Sequence, residues 1–361
     1  VEPRRFGQTI PASRSQQIPM PLSTASPHVR DPAAWRLAGA ASACTLADAE
    51  ALCRRIAGRH YENFTVATRI VPPRLRQDLA NVYAFARWSD DLADEAAAGP
   101  PPGAASDETR RADAGLAALA EWRRRLEACF AGRPDHPVFV ALAETIRRTG
   151  LSIEPFGHLL DAFEEDRRHD LAGTTVRYAD REALVGYCRR SADPVGRIVL
   201  ALEGCRAPDL VAMSDSICTG LQLVNFWQDI RRDRLAGRVY LPRDDMARYG
   251  VTEAMLDAPR ATAPLRELVA TEVAWARACF DRGAPLVDAA PAALRPAIAM
   301  FVGGGRAVAT AIERAGHDTL VRRPVVGRWT KAALAARAWW GIVWRPRDAP
   351  APVCDRGPHR R

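Results

Sequence analysis

From about residue 44 to 345 the apolar positions recur every three or four residues, the period of an amphipathic helix, and no β-branched alternation interrupts them. Turn signals cut this pattern at Pro72-Pro73, Gly99-Pro100-Pro101-Pro102-Gly103, Gly132-Arg133-Pro134, Gly150, Ala172-Gly173, Gly250 and Pro291. The spacing predicts helices over 46–57, 60–70, 74–95, 109–130, 137–149, 154–168, 180–203, 208–235, 262–289, 292–315 and 329–344. Several are apolar on most faces, so a single all-α domain over 44–345 is expected, with a large core. Residues 1–43, rich in Pro, Ser and Arg, and residues 346–361, rich in Pro and Arg, are expected to be a disordered extension and a disordered tail. No repeat of solenoid length is visible. Within 180–203, Pro194 followed by Gly196 predicts a kink or break, which either serves packing or opens room for a ligand.

Two of these helices carry polar residues where a buried helix should have none. Tyr83, Arg87, Asp90 and Asp94 fall at offsets 0, 4, 7 and 11 of one run, and Gln222, Asn225, Asp229 and Asp233 at 0, 3, 7 and 11 of another. At about 100° per residue each set returns to one direction and forms a stripe. Val82, Phe85, Trp88 and Leu92 cover the rest of the first helix, and Leu221, Leu223, Val224, Phe226, Trp227 and Ile230 the rest of the second. Each stripe should therefore line an internal cavity. Carboxylates one turn apart repel unless something positive lies between them. Facing stripes of Asp, Asn and Gln are hard oxygen donors of the kind Mg²⁺ prefers, and Mg²⁺ is usually shared with substrate phosphates. Arg87 would reach the same phosphates. The alternative for the first stripe is a solvated, acidic helix end, which the helix dipole disfavours.

Other candidates are less specific. His60, in His60-Tyr61-Glu62-Asn63-Phe64, could add a diphosphate contact or be an ordinary packed histidine. Tyr187 could be a proton donor or a polar wall for a cation. Arg231, Arg232, Arg234 and Arg238 could cover a pyrophosphate or solvate a helix end. Trp329, Trp339, Trp340 and Trp344, with Arg337 and Arg345, could pack in the core or dock on a bilayer.

Charge narrows the partners. The chain has 361 residues and a formal charge of +8, but residues 1–40 hold five Arg against two acids, and so do residues 345–361. The body is near neutral and has no Arg cluster interleaved with aromatics, so nucleic acid is not expected as a partner. Eight cysteines (44, 53, 129, 188, 205, 218, 279 and 354) show no C-x-x-C and are expected to be reduced, small hydrophobes rather than a zinc site. With no signal-peptide core and no apolar stretch of spanning length, a cytoplasmic protein is expected.

The order and wording of these motifs resemble the squalene and phytoene synthases over about residues 44–345. Asp90-x-x-x-Asp94 and Asn225-x-x-x-Asp229-x-x-x-Asp233 bracket Tyr187-Cys188. The resemblance implies an all-α isoprenoid-synthase fold with a central apolar cavity, two facing Asp-rich helices, and Mg²⁺ held by Asp90, Asp94, Asn225, Asp229 and Asp233. It places His60, Arg87, Gln222, Arg238 and, by a looser alignment, Arg322 among the diphosphate and metal-shell residues, and Tyr83 and Tyr187 among the cavity tyrosines. Four stretches resemble the bacterial hydroxysqualene synthases of hopanoid synthesis most: residues 60–64, 87–95, 225–229, and Tyr187-Cys188-Arg189-Arg190-Ser191-Ala192-Asp193-Pro194-Val195-Gly196. In other branches the middle motif has Tyr where this chain has Arg190. The segment 164–173 is longer than the family pattern, so Asp161, Asp166 and Asp170 all remain candidates for one family position.

The implied reaction is Mg²⁺-dependent ionisation of presqualene diphosphate, with Phe64, Phe226 and Trp227 stabilising the cation and water quenching it to hydroxysqualene. No nicotinamide cofactor is expected. The alternatives are condensation of two farnesyl diphosphates to presqualene diphosphate or squalene, formation of a related C30 or C40 product, and an inactive scaffold homologue. Expected partners are an isoprenoid diphosphate, other hopanoid-pathway enzymes and, at the periphery, the inner face of the membrane.

Overall fold

The computed structural model describes residues 44–59, 71–95, 108–327 and 330, with backbone only at 59, 94, 95 and 108–113. The extension, the tail, the helices expected at 60–70 and 329–344, and the tryptophan cluster at 329–344 fall almost wholly outside the described residues. What is described is all-α, apart from one two-residue strand pairing.

The N-terminal half comprises α1 (Leu46–Arg59), α2 (Pro73–Glu95), α3 (Glu108–Phe130), α4 (Pro137–Thr149) and α5 (Glu154–Ala172). Strand β1 (Val176–Arg177) leads into α6 (Arg181–Ser191), α7 (Asp193–Leu202) and α8 (Pro208–Leu235). After β2 (Arg238–Val239) come α9 (Arg243–Arg248), α10 (Glu253–Leu256), α11 (Ala263–Gly283), α12 (Leu286–Ala289) and α13 (Arg295–Arg314). Helix α2 packs on α1, α3, α4 and α5, whereas α8 packs on α7, α11 and α13. Helix α7 joins the halves, since it lies against α8, α6 and α5 and also touches α2.

The break predicted in 180–203 falls at Ala192 (φ −119°, ψ −50°), with Pro194 in the first turn of α7. Gly196 lets α7 lie close on α8, because a Cβ there would sit 2.3 Å from Ser214 Oγ and 2.7 Å from Cys218 Sγ. The predicted helix 262–289 also divides, before α12. Helix α5 runs on to Ala172, where Gly173 (φ 56°) ends it, so the acidic segment 164–170 is continuous helix. Among the cysteines, 44, 53, 129, 188, 218 and 279 carry free thiols, but Cys205 is disulfide-bonded, which departs from the expectation of eight reduced residues. No helix among the described residues is long and apolar enough to cross a membrane.

Aromatic packing fixes the back of α2. Trp88 stacks on Trp122 (5.8 Å, 14°), Trp122 Nε1 donates to Ser89 Oγ at 3.0 Å, and His136 lies edge-on to both indoles at 4.9 Å. His136 also caps α4, its Nδ1 accepting from the Val138 amide at 3.2 Å. Burial drives its pKa from 6.5 down to about 3. Between these values the unfolded chain binds a proton that the folded chain refuses, so this contribution to stability is present above pH 6.5 and lost as pH falls towards 3. We expect thermal melts of His136→Asn, a capping residue that does not titrate, to lose the wild-type acid-side slope of roughly 1 kcal/mol per pH unit.

Candidate active site

With Trp88 and Phe85 turned into the aromatic core, α2 presents its stripe on the other side. Tyr83, Arg87, Asp90 and Asp91 are all buried. Arg87 Nη1 lies 3.1 Å from Asp90 Oδ2, and Nη2 pairs with Asp91. Arg87 thus supplies the positive charge that adjacent carboxylates require, and Asp91, which lies off the predicted stripe, is its partner one turn on. Burial and the neighbouring aspartates push the Tyr83 hydroxyl up to about 12. Asp94 continues the helix, but its side chain lies outside the described residues, as do His60 and Phe64.

On α8 the stripe changes character along its length. Gln222 and Asn225 are half-buried and make no hydrogen bond among the described residues. Asp229 is buried and takes a fork from Arg323 (2.7 and 2.9 Å) and a bond of 3.2 Å from Arg232. Gln228 donates to the Pro324 carbonyl, so the segment after α13 is strapped along α8. Arg322, the residue singled out from sequence, is exposed, and its neighbour Arg323 meets the stripe. Nothing in the local sequence separates these two arginines. Asp233 has its pKa pushed up to about 8 by burial and by Asp229, despite Arg238, Arg232 and Arg323 nearby.

A third wall joins α5, α6 and β2. The parallel pairing Val176↔Arg238 and Arg177↔Val239 is followed on each strand by a tyrosine, and Tyr178 stacks on Tyr240 (5.9 Å, 17°). Tyr240 stacks in turn on Phe226 (3.7 Å, 12°), with the buried Tyr187 6.1 Å from Tyr240. Of the three acids left open, Asp161 pairs with Arg123, Asp170 takes a 3.2 Å fork from Arg238, and Asp166 accepts the Tyr187 hydroxyl at 2.9 Å. Arg190, in place of the family tyrosine, pairs with Glu165 one turn along the same helix pair. A narrow recess with a volume of about 10 Å³, partly open to solvent, is lined by Phe226, Ile230, Asp233, Arg238, Tyr240 and Leu256. Trp227 is fully buried and packs towards Trp275 (6.5 Å) as well as Phe226. Sequence reasoning missed Asp91, Tyr178, Tyr240 and Arg323. Only Asp91 has a local signal, its i+4 spacing from Arg87.

Among the described residues, no three acidic, histidine or cysteine side chains converge as a preformed metal site. Arginines hold the carboxylates instead. The donor set still fits a hard divalent cation, because it consists of Asp and Asn oxygens, and Asp233, half-buried beside Asp229, has its pKa raised mainly by desolvation of the carboxylate, which a cation would offset. What the arrangement offers is acid and guanidinium on two helices, with an aromatic wall beside those of α8.

Comparison with known proteins agrees with this architecture. Residues 57–330 match the family model for squalene/phytoene synthase. The chain is 32% identical to a phytoene synthase of Arthrospira platensis over 80% of its own length and 91% of the relative. It is 34% identical to the hydroxysqualene synthase of Zymomonas mobilis over 62% and 69%, respectively. The crystal structure of squalene synthase HpnC from Alicyclobacillus acidocaldarius superposes with a TM-score of 0.67 at 38% identity, covering 78% of this chain and 98% of that one. With the family model spanning nearly all of the described helices, the chain belongs to the squalene/phytoene synthase family, isoprenoid synthases that act on prenyl diphosphates.

Proposed function

We propose that this chain converts presqualene diphosphate to hydroxysqualene. The observation that carries the reading is the pairing of Asp and Arg on two helices, one of which, α8, also carries part of an aromatic wall. Arg87 lies with Asp90 and Asp91, and Arg323 and Arg232 with Asp229, while Phe226 and Tyr240 are stacked next to Asp233. Buried guanidinium groups are suited to a pyrophosphate leaving group, and stacked rings to a cation left behind. The choice of the hydroxysqualene branch is supported by the middle motif around Arg190 and by the likeness to the Zymomonas mobilis protein.

In this reading the C–O bond to the diphosphate breaks and pyrophosphate leaves. The cyclopropylcarbinyl cation rearranges, water forms the new C–O bond, and one proton is released. Asp90, Asp94, Asn225, Asp229 and Asp233 would hold Mg²⁺, which when bound supplies positive charge to the departing pyrophosphate. Arg87, Arg323 and Arg238, with Gln222 and the motif-assigned His60, hold and orient the phosphates. Arg322 keeps a place only as an exposed residue beside Arg323. Tyr83 and Tyr187 shape the cavity with Phe226, with Phe64 assigned there by motif, and Trp227 backs that wall from the core. The tryptophan-rich segment after residue 328 is assigned to peripheral contact with a membrane that stores the C30 product.

Head-to-head condensation of two prenyl diphosphates, farnesyl diphosphate among them, is the second reading, favoured by the likeness to a phytoene synthase over 80% of the chain. Purified full-length protein given presqualene diphosphate and Mg²⁺, without nicotinamide, should release pyrophosphate and hydroxysqualene in equal amounts. Turnover of farnesyl diphosphate with no hydroxysqualene would replace this reading with the second.

A further inference from the structure

The water that ends such a reaction must lose a proton. The Tyr187 hydroxyl donates to Asp166 Oδ2 at 2.9 Å. A phenol has one proton to donate and two lone pairs to accept with. With its proton given to Asp166, Tyr187 presents its lone pairs to other groups, and the Tyr240 hydroxyl is within hydrogen-bonding reach of them.

Asp166 is held by several neighbours. Arg238 from β2 lies beside it and forks onto Asp170, one turn further along α5. Arg190 clamps Glu165, so α5 and α6 are joined by two side-chain bonds one turn apart. Tyr240 and Phe226, which line the recess with Asp233, pack within 6.3 Å of the Tyr187 ring. Tyr187 is buried, and Asp166, half-buried at the residue level, has its carboxyl group desolvated beside it.

We propose that Asp166 is a positioning residue for the water quench, orienting the attacking water through Tyr187 and receiving the proton that the water gives up. The inference rests on the hydroxysqualene reading. Water forms a C–O bond to the cation while donating a hydrogen bond to Tyr187 Oη. Its proton passes to Oη as the phenolic proton passes to Asp166 Oδ2. No oxidant, reductant or further reactant is needed. Burial raises the Asp166 carboxyl to about 6, which makes it a stronger base than a solvated aspartate while leaving it ionised at neutral pH.

The test gives presqualene diphosphate and Mg²⁺ to full-length wild type, Asp166→Asn, Asp166→Glu, Tyr187→Phe and the Asp166→Asn/Tyr187→Phe double variant. The readout is hydroxysqualene formed per pyrophosphate released. We expect Asp166→Asn and Tyr187→Phe to lower this ratio about tenfold or more, with the missing product appearing as C30 hydrocarbons. Asp166→Glu should restore most of the ratio, and the double variant should be no worse than the lower single variant. A wild-type ratio in Asp166→Asn, or a ratio in Asp166→Glu as low as in Asp166→Asn, overturns the relay. If Asp166→Asn fails to fold, Tyr187→Phe, which loses only a hydroxyl, still decides, and a wild-type ratio there overturns the relay. If wild type itself forms no hydroxysqualene, the functional reading falls and this inference falls with it.

Discussion

Asp229→Asn is expected to slow pyrophosphate release by about 10²–10³-fold while leaving the melting temperature nearly unchanged. The two effects separate because the site concentrates negative charge for a cationic ligand rather than for the fold. Asparagine preserves the shape and one acceptor but removes the charge that forks with Arg323. Arg323 and Arg232 have side chains about one-fifth exposed (21% and 22%), so water can solvate them when the partner is neutral. Asp233 gains, because Asp229 is one of the two causes that push its pKa up to about 8, and neutralising Asp229 lets it fall. The loss and the gain oppose each other, and the net change in stability should stay within about 1 kcal/mol. Pyrophosphate assays and thermal melts on the same samples check both halves. Full activity in Asp229→Asn would end the assignment of this stripe to the metal and phosphate.

The largest effect on the fold should come from a single methyl group. Gly305 on α13 faces Phe280 of α11, and a Cβ at 305 would lie 2.1 Å from Phe280 Cζ and 2.5 Å from Cε1. Gly220 of α8 closes on the same ring, where a Cβ would lie 3.0 Å from Cε1. Phe280 is fully buried between these helices and has no open side to move into. We expect Gly305→Ala to destabilise by about 3 kcal/mol through overpacking, or roughly 6–10 °C in Tm. At Gly304 nothing lies within 4 Å of the added Cβ, so Gly304→Ala should be neutral or stabilise by up to about 1 kcal/mol through helix propensity. Adjacent glycines with opposite responses are read by chemical denaturation of the two variants. Phe280→Leu in the Gly305→Ala background should recover part of the loss.

The legible parts of this fold were those governed by local arithmetic. Both polar stripes follow from a period of 3.6 set against apolar surroundings, and the break at Ala192 follows from Pro194. The short helices α9 and α10 and the β1–β2 pairing were not legible, since segments of two to six residues are too brief to show a period. That Arg323 rather than Arg322 meets Asp229 depends on how the chain after α13 runs back along α8, and that Asp166 rather than Asp161 or Asp170 meets Tyr187 depends on where α6 crosses α5. Neither pairing is a property of the neighbouring residues, and which of the three acids holds the family position stays open. Asp91 is a different kind of miss. Its i+4 relation to Arg87 was available, but the stripe drawn through Asp90 and Asp94 passed beside it.

The brief pairing of β1 with β2 also constrains anyone who would exchange segments between relatives to alter product choice. Because alternate residues of a strand face opposite ways, adding or removing one residue inside β2 would turn Arg238 and Tyr240 together out of their present facing, and a change inside β1 would do the same to Tyr178. The extra length in 164–173 avoids this fault by extending α5 as far as Gly173, upstream of the register. Chimeras should therefore be joined before Gly173 or after Tyr240. Crossovers between those points should give folded proteins whose tyrosines no longer meet.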